Sequence, residues 1–193
     1  MTRKLYFLFV LSCAVAHLTR AQCDFTISPS NPAVNCQYAI EEVVWISATN
    51  LAVTGNNVVK NAGGNNNFNA GAVSTASINN FGYIETTVNE TNRDRAFGLS
   101  TTDGGVDRNS IDYAIQFRNN SLLRIYENGT VVENPGFYST GDVLRIEVDN
   151  NMVKYFQNGN LLRISNTAPA LPMIADISID DIGGTLEDVV IAN

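Results

Sequence analysis

The sequence predicts an all-β protein, a two-sheet antiparallel β-sandwich, and three observations predict it. The first is Gly141 to Ser165, where three runs alternate apolar and polar residues and only Asn150-Asn151 and Asn158-Gly159 separate them. That pattern is a meander with one dry and one wet face. The second is the lack of any sustained helical period beyond an N-terminal leader. The third is the recurrence of short strand-like runs between turn signals along the whole chain, the pattern of a sandwich.

The leader alters every later count. Arg3 and Lys4 precede an apolar stretch, Leu5 to Val15, and Thr19-Arg20-Ala21 offers a small-residue cleavage site. Residues 1–21 therefore read as a secretory signal peptide, too short in its apolar part to span a bilayer as a helix. A retained anchor is the alternative, and a lipid-modified Cys23 fits poorly behind the bulky Gln22. The expected location is secreted, with no membrane span after processing. Loss of Arg3, Lys4 and Arg20 moves the formal net charge from −7 to −10. The single His, His17, leaves too, which excludes Ser-His-Asp and Cys-His nucleophiles and His-ligated zinc from the processed chain. The acidic balance argues against nucleic acid and anionic membrane as partners.

Next comes an N-terminal segment, residues 22–40. Cys23 and Cys36 are the cysteines left once Cys13 is removed. A disulfide is the economical reading in an oxidising compartment, worth roughly 3 kcal/mol for a loop this short. A free thiol or a cross-link between subunits stays open. Phe25 and Ile27 alternate with polar residues, so this segment can cover a sheet edge of its own subunit or add to a neighbour's sheet and build a polymer.

The sandwich domain is assigned to residues 41–193. Its strand-like runs begin with Val43 to Ser47, Leu51 to Thr54 and Asn57 to Lys60. The Gly63–Asn67 cluster is a loop. Val73 to Ile78, Tyr83 to Val88, Ala96 to Ser100, Ile111 to Phe117, Leu122 to Glu127 and Thr130 to Glu133 follow. Val143 to Asp149, Met152 to Gln157, Leu161 to Ser165, Met173 to Ser178 and Asp188 to Ala192 complete the set. Leu144, Ile146 and Val148 share one face, and so do Ile111, Tyr113, Ile115 and Phe117. Asn128-Gly129 and Asn158-Gly159 have the chemistry of tight primed hairpin turns. Trp45, with apolar neighbours on both sides, belongs to the core. Three sequons, at Asn89, Asn119 and Asn128, are candidate glycosylation sites.

The order GYIETTV, AFGLS, IDYAIQF, LLRIYENGTVV, YSTGDVLRIEV, MVKYFQNGNLL resembles the concanavalin A-like lectin/glucanase superfamily, from about Val43 to Asn193. The resemblance implies a jelly-roll sandwich. It also implies sugar recognition through loops or a sheet face, in some members with calcium, but the fold hosts many functions. Glucanases of the superfamily carry Glu-x-Asp-x-x-Glu on one strand. Here Glu147-Val148-Asp149 is followed by Met152 where the second Glu should stand, and Glu85 and Glu90 are spaced too loosely to replace it, so no catalytic pair is assigned.

Sugar recognition combines an aromatic platform with hydrogen-bonding side chains. Phe68 and Asn69 after the Gly/Asn-rich loop, Asp103, Asp107 and Asn109 in the 101–112 loop, and Tyr126 are the candidates, with Tyr138 a further aromatic. Asp103, Asp107 and Asp112 could also hold calcium, the one possible cofactor, or form a solvated acidic turn. Asp176, Asp180 and Asp181 make a second acidic stretch, whose Asp176 and Asp180 are expected to be exposed. The sequence thus points to a non-enzymatic carbohydrate-binding or adhesion module acting on glycans or glycoproteins. A self-associating structural subunit of an extracellular matrix or filament is the alternative, and a divergent glycoside hydrolase a further one.

Overall fold

The computed structural model describes residues 39–193 throughout, together with two short strands, β1 (Cys23–Phe25) and β2 (Val34–Cys36). These two pair with each other, and their antiparallel register sets Cys23 opposite Cys36. The predicted signal peptide and the side chains of Phe25, Ile27 and both cysteines lie outside the described residues.

The domain continues with β3 (Ile40–Glu42), β4 (Trp45–Thr49), β5 (Leu51–Thr54), β6 (Asn57–Lys60), β7 (Ala70–Ile78), β8 (Gly82–Thr87) and β9 (Arg95–Ser100). Then come β10 (Tyr113–Phe117), β11 (Leu122–Glu127), β12 (Thr130–Phe137), β13 (Val143–Asp149), β14 (Met152–Gln157), β15 (Asn160–Ile164), β16 (Met173–Ile179) and β17 (Thr185–Ala192). They form two antiparallel sheets. Sheet I runs β12-β11-β10-β9-β16-β7-β4, and sheet II runs β15-β14-β13-β8-β17-β6-β5 with β3 also on β17.

The register follows from side-chain alternation and turn chemistry. In β13, Leu144, Ile146 and Val148 are buried while Arg145, Glu147 and Asp149 are half-exposed. Slipping by one residue would exchange the two sets. Both residues of the turns Asn128-Gly129, Asn150-Asn151 and Asn158-Gly159 have positive φ. This is the primed geometry that Asn and Gly adopt at low cost and that matches strand twist. The core lies between the sheets, built from Phe97, Leu99, Ile115, Phe117 and Ile177 of sheet I against Ile84, Leu144, Ile146, Val153 and Tyr155 of sheet II. Each such buried side chain stabilises the fold by roughly 1.5–3 kcal/mol. Trp45 is buried as expected, its indole N–H donating to the Asn56 carbonyl at 2.9 Å.

Four readings need correction. Tyr138 is no surface platform: it is buried edge-on against Phe117 at 5.6 Å, with its hydroxyl donating to the Arg118 carbonyl at 2.7 Å. Ile111 precedes β10 and joins a separate cluster with Ala96, Ala114 and Tyr126, not the core face of Tyr113, Ile115 and Phe117. β12 runs through Pro135 to Phe137, because an edge strand tolerates the missing N–H. β3 was not anticipated, since three residues carry too little alternation to read.

Candidate functional site

The outer face of sheet I is unusually smooth. Along the register Ala114–Gly98–Asp176 the middle position has no side chain, and Gly71 stands beyond it opposite Ser178. Residues 101–112 lie across this face as a strap. The fit is close: a Cβ on Gly98 would meet the strap's Ile111 side chain at 2.5 Å, besides the Tyr113 carbonyl of neighbouring β10 at 2.2 Å. One on Gly71 would stand 3.2 Å from the Val106 backbone. The Ser178 hydroxyl ties the strap down by donating to the Val106 carbonyl at 2.6 Å. A single 3₁₀ turn, Arg108–Ser110, is capped by Asp107, whose carboxylate accepts from the Asn109 N–H at 2.7 Å.

The Gly/Asn-rich loop reaches the same face. It is held by Lys60, which is fully buried. The ammonium donates to the Asn67 carbonyl, the Asn69 side-chain oxygen and the Asp180 carbonyl at 2.7–2.8 Å, and to the Ile179 carbonyl at 3.2 Å. The Asn69 amide then donates to the Gly63 carbonyl at 2.7 Å. So anchored, the loop presents Phe68 to the cluster of Ala96, Ile111, Ala114 and Tyr126. Between the rings lies Arg108, its guanidinium 4.6 Å from the Phe68 centroid and 4.4 Å from that of Tyr126. The 61–69 and 101–112 loops therefore converge on one place.

The structure sorts the candidates. Phe68 is half-buried, and Asp103, Asp107 and Asn109 are exposed around the strap. Asn69 is engaged in holding its own loop. Tyr126 is buried, with Arg108 over its ring. The three carboxylates suggested for calcium are each engaged locally. Asp103 accepts from the Gly105 N–H at 3.1 Å, Asp107 caps the 3₁₀ turn, and Asp112 accepts from the N–H and hydroxyl of Thr101 at 2.8 and 2.9 Å. Among the described residues no group of three or more His, Cys, Asp or Glu side chains is gathered to hold a metal ion.

Asp176 and Asp180 are not exposed as expected. Both are buried, because the strap and the Gly/Asn-rich loop cover that end of the sheet. Burial pushes the Asp176 carboxyl up to about 7, and Asp103 and Asp112 push the same way against the hydrogen bond from Ser100 at 2.6 Å. Burial also raises Asp180, with Asp181 beside it. The sequence does not single out Arg108, and it names Asp176 only within an acidic stretch expected to be exposed. Arg108 is a single basic residue in an acidic, aperiodic loop and carries no pattern. The small-residue runs Ala96-Phe97-Gly98 and Ala70-Gly71-Ala72 were the available signal that something lies close on this face.

Elsewhere, Glu147 and Asp149 belong to a ladder of ion pairs on sheet II. Arg145 contacts Glu85 at 2.7 Å and Glu147 at 3.8 Å, and Lys154 contacts Asp149 at 2.6 Å. A small depression of 140 Å³ beside them is lined by Glu85, Val143, Arg145, Glu147, Phe156 and Gly159. Glu90 lies in the β8–β9 connection and pairs with buried Arg95 at 3.8 Å. The sequon residues Asn89, Asn119 and Asn128 are all exposed.

No protein-family model matches the chain, and no curated protein sequence matches it. Solved structures do. The chain is similar to the SPRY domain of human HERC1, with 14% identity and a TM-score of 0.55 over 78% of this chain and 98% of that one. It is similar to the PSpry domain of TRIM65, with 11% identity and a TM-score of 0.57 over 79% and 90%. It also matches stonustoxin, with 9% identity and a TM-score of 0.56 over 78% and 28%. The class is thus defined: the domain has the concanavalin A-like jelly-roll fold that the sequence resembles. Among the described residues no helix is long and apolar enough to cross a membrane.

Proposed function

We propose that this chain is a secreted, non-enzymatic recognition module that binds carbohydrate, on glycans or glycoproteins, at the junction of the 61–69 and 101–112 loops. The convergence of those loops carries the reading. It sets a half-buried aromatic ring, Phe68, and a half-buried guanidinium, Arg108, beside the exposed acceptors Asp103, Asp107 and Asn109. A sugar offers an apolar ring face to the first kind of group and hydroxyls to the others. Rigidity supports it too. The strap is tied at Val106, Thr101 and Asp107, so little ordering is needed when a ligand arrives. Recognition without turnover is supported by the engagement of Glu147 and Asp149 with Lys154, and of Glu147 with Arg145.

The test is a glycan array with the processed protein, with and without a chelator, repeated with Phe68→Ala and Asn109→Ala. Binding that both substitutions weaken about tenfold, at the roughly 1.4 kcal/mol expected of one ring or hydrogen-bond contact, supports the reading. A retained signal after chelation assigns recognition to the protein groups alone. Absence of binding under both conditions refutes it.

A further inference from the structure

Three arginines of the described residues lie over aromatic rings, and two of them have an acidic partner. Arg95 covers Phe117 and pairs with Glu90 at 3.8 Å. Arg145 covers Tyr83 and pairs with Glu85 at 2.7 Å. Arg108 differs. Two rings lie within 4.6 Å of its guanidinium carbon, but among the described residues no carboxylate lies within ion-pair distance of it. Its edge is nearly idle as well. Nε is buried without a hydrogen-bond partner, and among the described residues the terminal nitrogens make one contact, to the Asn109 side-chain oxygen, long at 3.4 Å.

A guanidinium presents five N–H donors in a planar fork that matches a carboxylate. Two flanking rings fix the plane of that fork, so few rotamers are lost when an anion docks. The residue is half-buried, which leaves part of it open to solvent while lowering the local dielectric. We infer that Arg108, clamped between Phe68 and Tyr126, is the group that reads an anion in this site, and that the ligand is an acidic saccharide carrying a single carboxylate.

This inference rests on the carbohydrate reading and narrows it. The surroundings select against a polyanion. Asp103 and Asp107 are exposed on the same strap, Asp180 lies close enough to feel the Arg108 charge, and the chain is acidic at −7 overall. A densely sulfated chain would meet that field at every charge, whereas one carboxylate meets the guanidinium and its neighbouring hydroxyls meet the acceptors.

The experiment measures binding of uronate- and sialate-terminated oligosaccharides, of the same oligosaccharides with the carboxyl reduced to an alcohol, and of heparin. The wild type and the Arg108→Gln and Arg108→Lys variants are compared, with thermal unfolding as the folding control. The expected result is that one or more acidic probes outbind their reduced forms about 10- to 100-fold, the range of a charge-assisted hydrogen-bonded pair, and that Arg108→Gln abolishes the difference. Arg108→Lys keeps the charge without the fork and should lose most of the selectivity, so it decides the matter if the Gln variant does not fold. Equal binding of acidic and reduced probes by the wild type overturns the inference and leaves the carbohydrate reading standing. Tighter binding of heparin overturns the single-carboxylate claim, and no binding of any saccharide overturns both.

Discussion

At the residue scale, the energetics concentrate in polar groups buried by the two loops. Asp176 is the clearest case. Its carboxyl is raised to about 7 in the folded protein by burial, with Asp103 and Asp112 adding to the effect. In the unfolded chain it titrates near 4, as Asp does. Between those values the folded state holds a proton that the unfolded state has released, so stability falls as pH rises from about 4 through 7 and is level above that. Three units correspond to roughly 4 kcal/mol at most. Asp176→Asn keeps an acceptor for the Ser100 hydroxyl and removes the titration. Its unfolding free energy should exceed that of the wild type by roughly 2–4 kcal/mol at pH 8, and the gap should close by pH 4. Urea denaturation across that range checks it, and a gap independent of pH would contradict it. Lys60 is the opposite kind of buried ion, with four oxygens around one ammonium. Lys60→Met removes the donor those oxygens share, although the Asn67 carbonyl keeps the Asn69 N–H, and should cost about 3 kcal/mol by the same measurement, loosening residues 61–69 first. Neither role was legible in the sequence. Asp176 and Asp180 read as outward-facing because alternation says which way a side chain points, not whether a distant loop then covers it.

At the element scale, what faces the core was legible and what lies across the outside was not. The β13–β14–β15 meander, its two turns and the core side of β13 were read directly, because period-two patterning and Asn-Gly chemistry are local signals. The strap is aperiodic, and its placement is written in what its partner strands lack. Gly98 is the sharpest point, since any side chain there enters the space of the Tyr113 carbonyl and Ile111. Gly98→Ala should therefore destabilise the protein by about 2–3 kcal/mol, an overpacking cost, by pressing on the β10 backbone at Tyr113 and on the strap at Ile111, of which the strap is the part able to give way. Hydrogen exchange at residues 101–112 should accelerate well before the β13–β14 amides are affected. Uniform acceleration would mean that the glycine serves the sheet itself and not the strap. The same lifting should weaken saccharide binding, because Arg108 and Asn109 ride on this element.

At the scale of the whole molecule, the question is whether the sandwich stands alone or builds something larger. Among the described residues both sheets draw their strands from residues 40–192, and β1 and β2 pair with each other. Open edges are the hazard for such a fold; the four strands that end the two sheet orders are each blunted, and β3, beside β17, is only three residues long. β4 is interrupted between Ile46 and Thr49, with Ser47 at positive φ, which offsets the exposure of Val44 and Ile46. β12 carries Pro135 and two register shifts against β11. β15 has a shift against β14, and β5 is four residues long. Bulges, prolines and short strands each deny a second chain a continuous row of partners. A chain beginning at Ala39 should accordingly fold and sediment as a monomer, as should one beginning at Gln22. Their melting midpoints should agree within about 4 °C, equivalent to no more than roughly 1–2 kcal/mol for a domain of this size. Reductant should leave both core transitions in place, since any Cys23–Cys36 bond would close a loop outside the two sheets. A longer chain that assembles while the shorter one stays monomeric would make residues 22–38 a donor segment and favour the filament alternative. A shorter chain that aggregates or melts far lower would instead make that segment the cover of an edge.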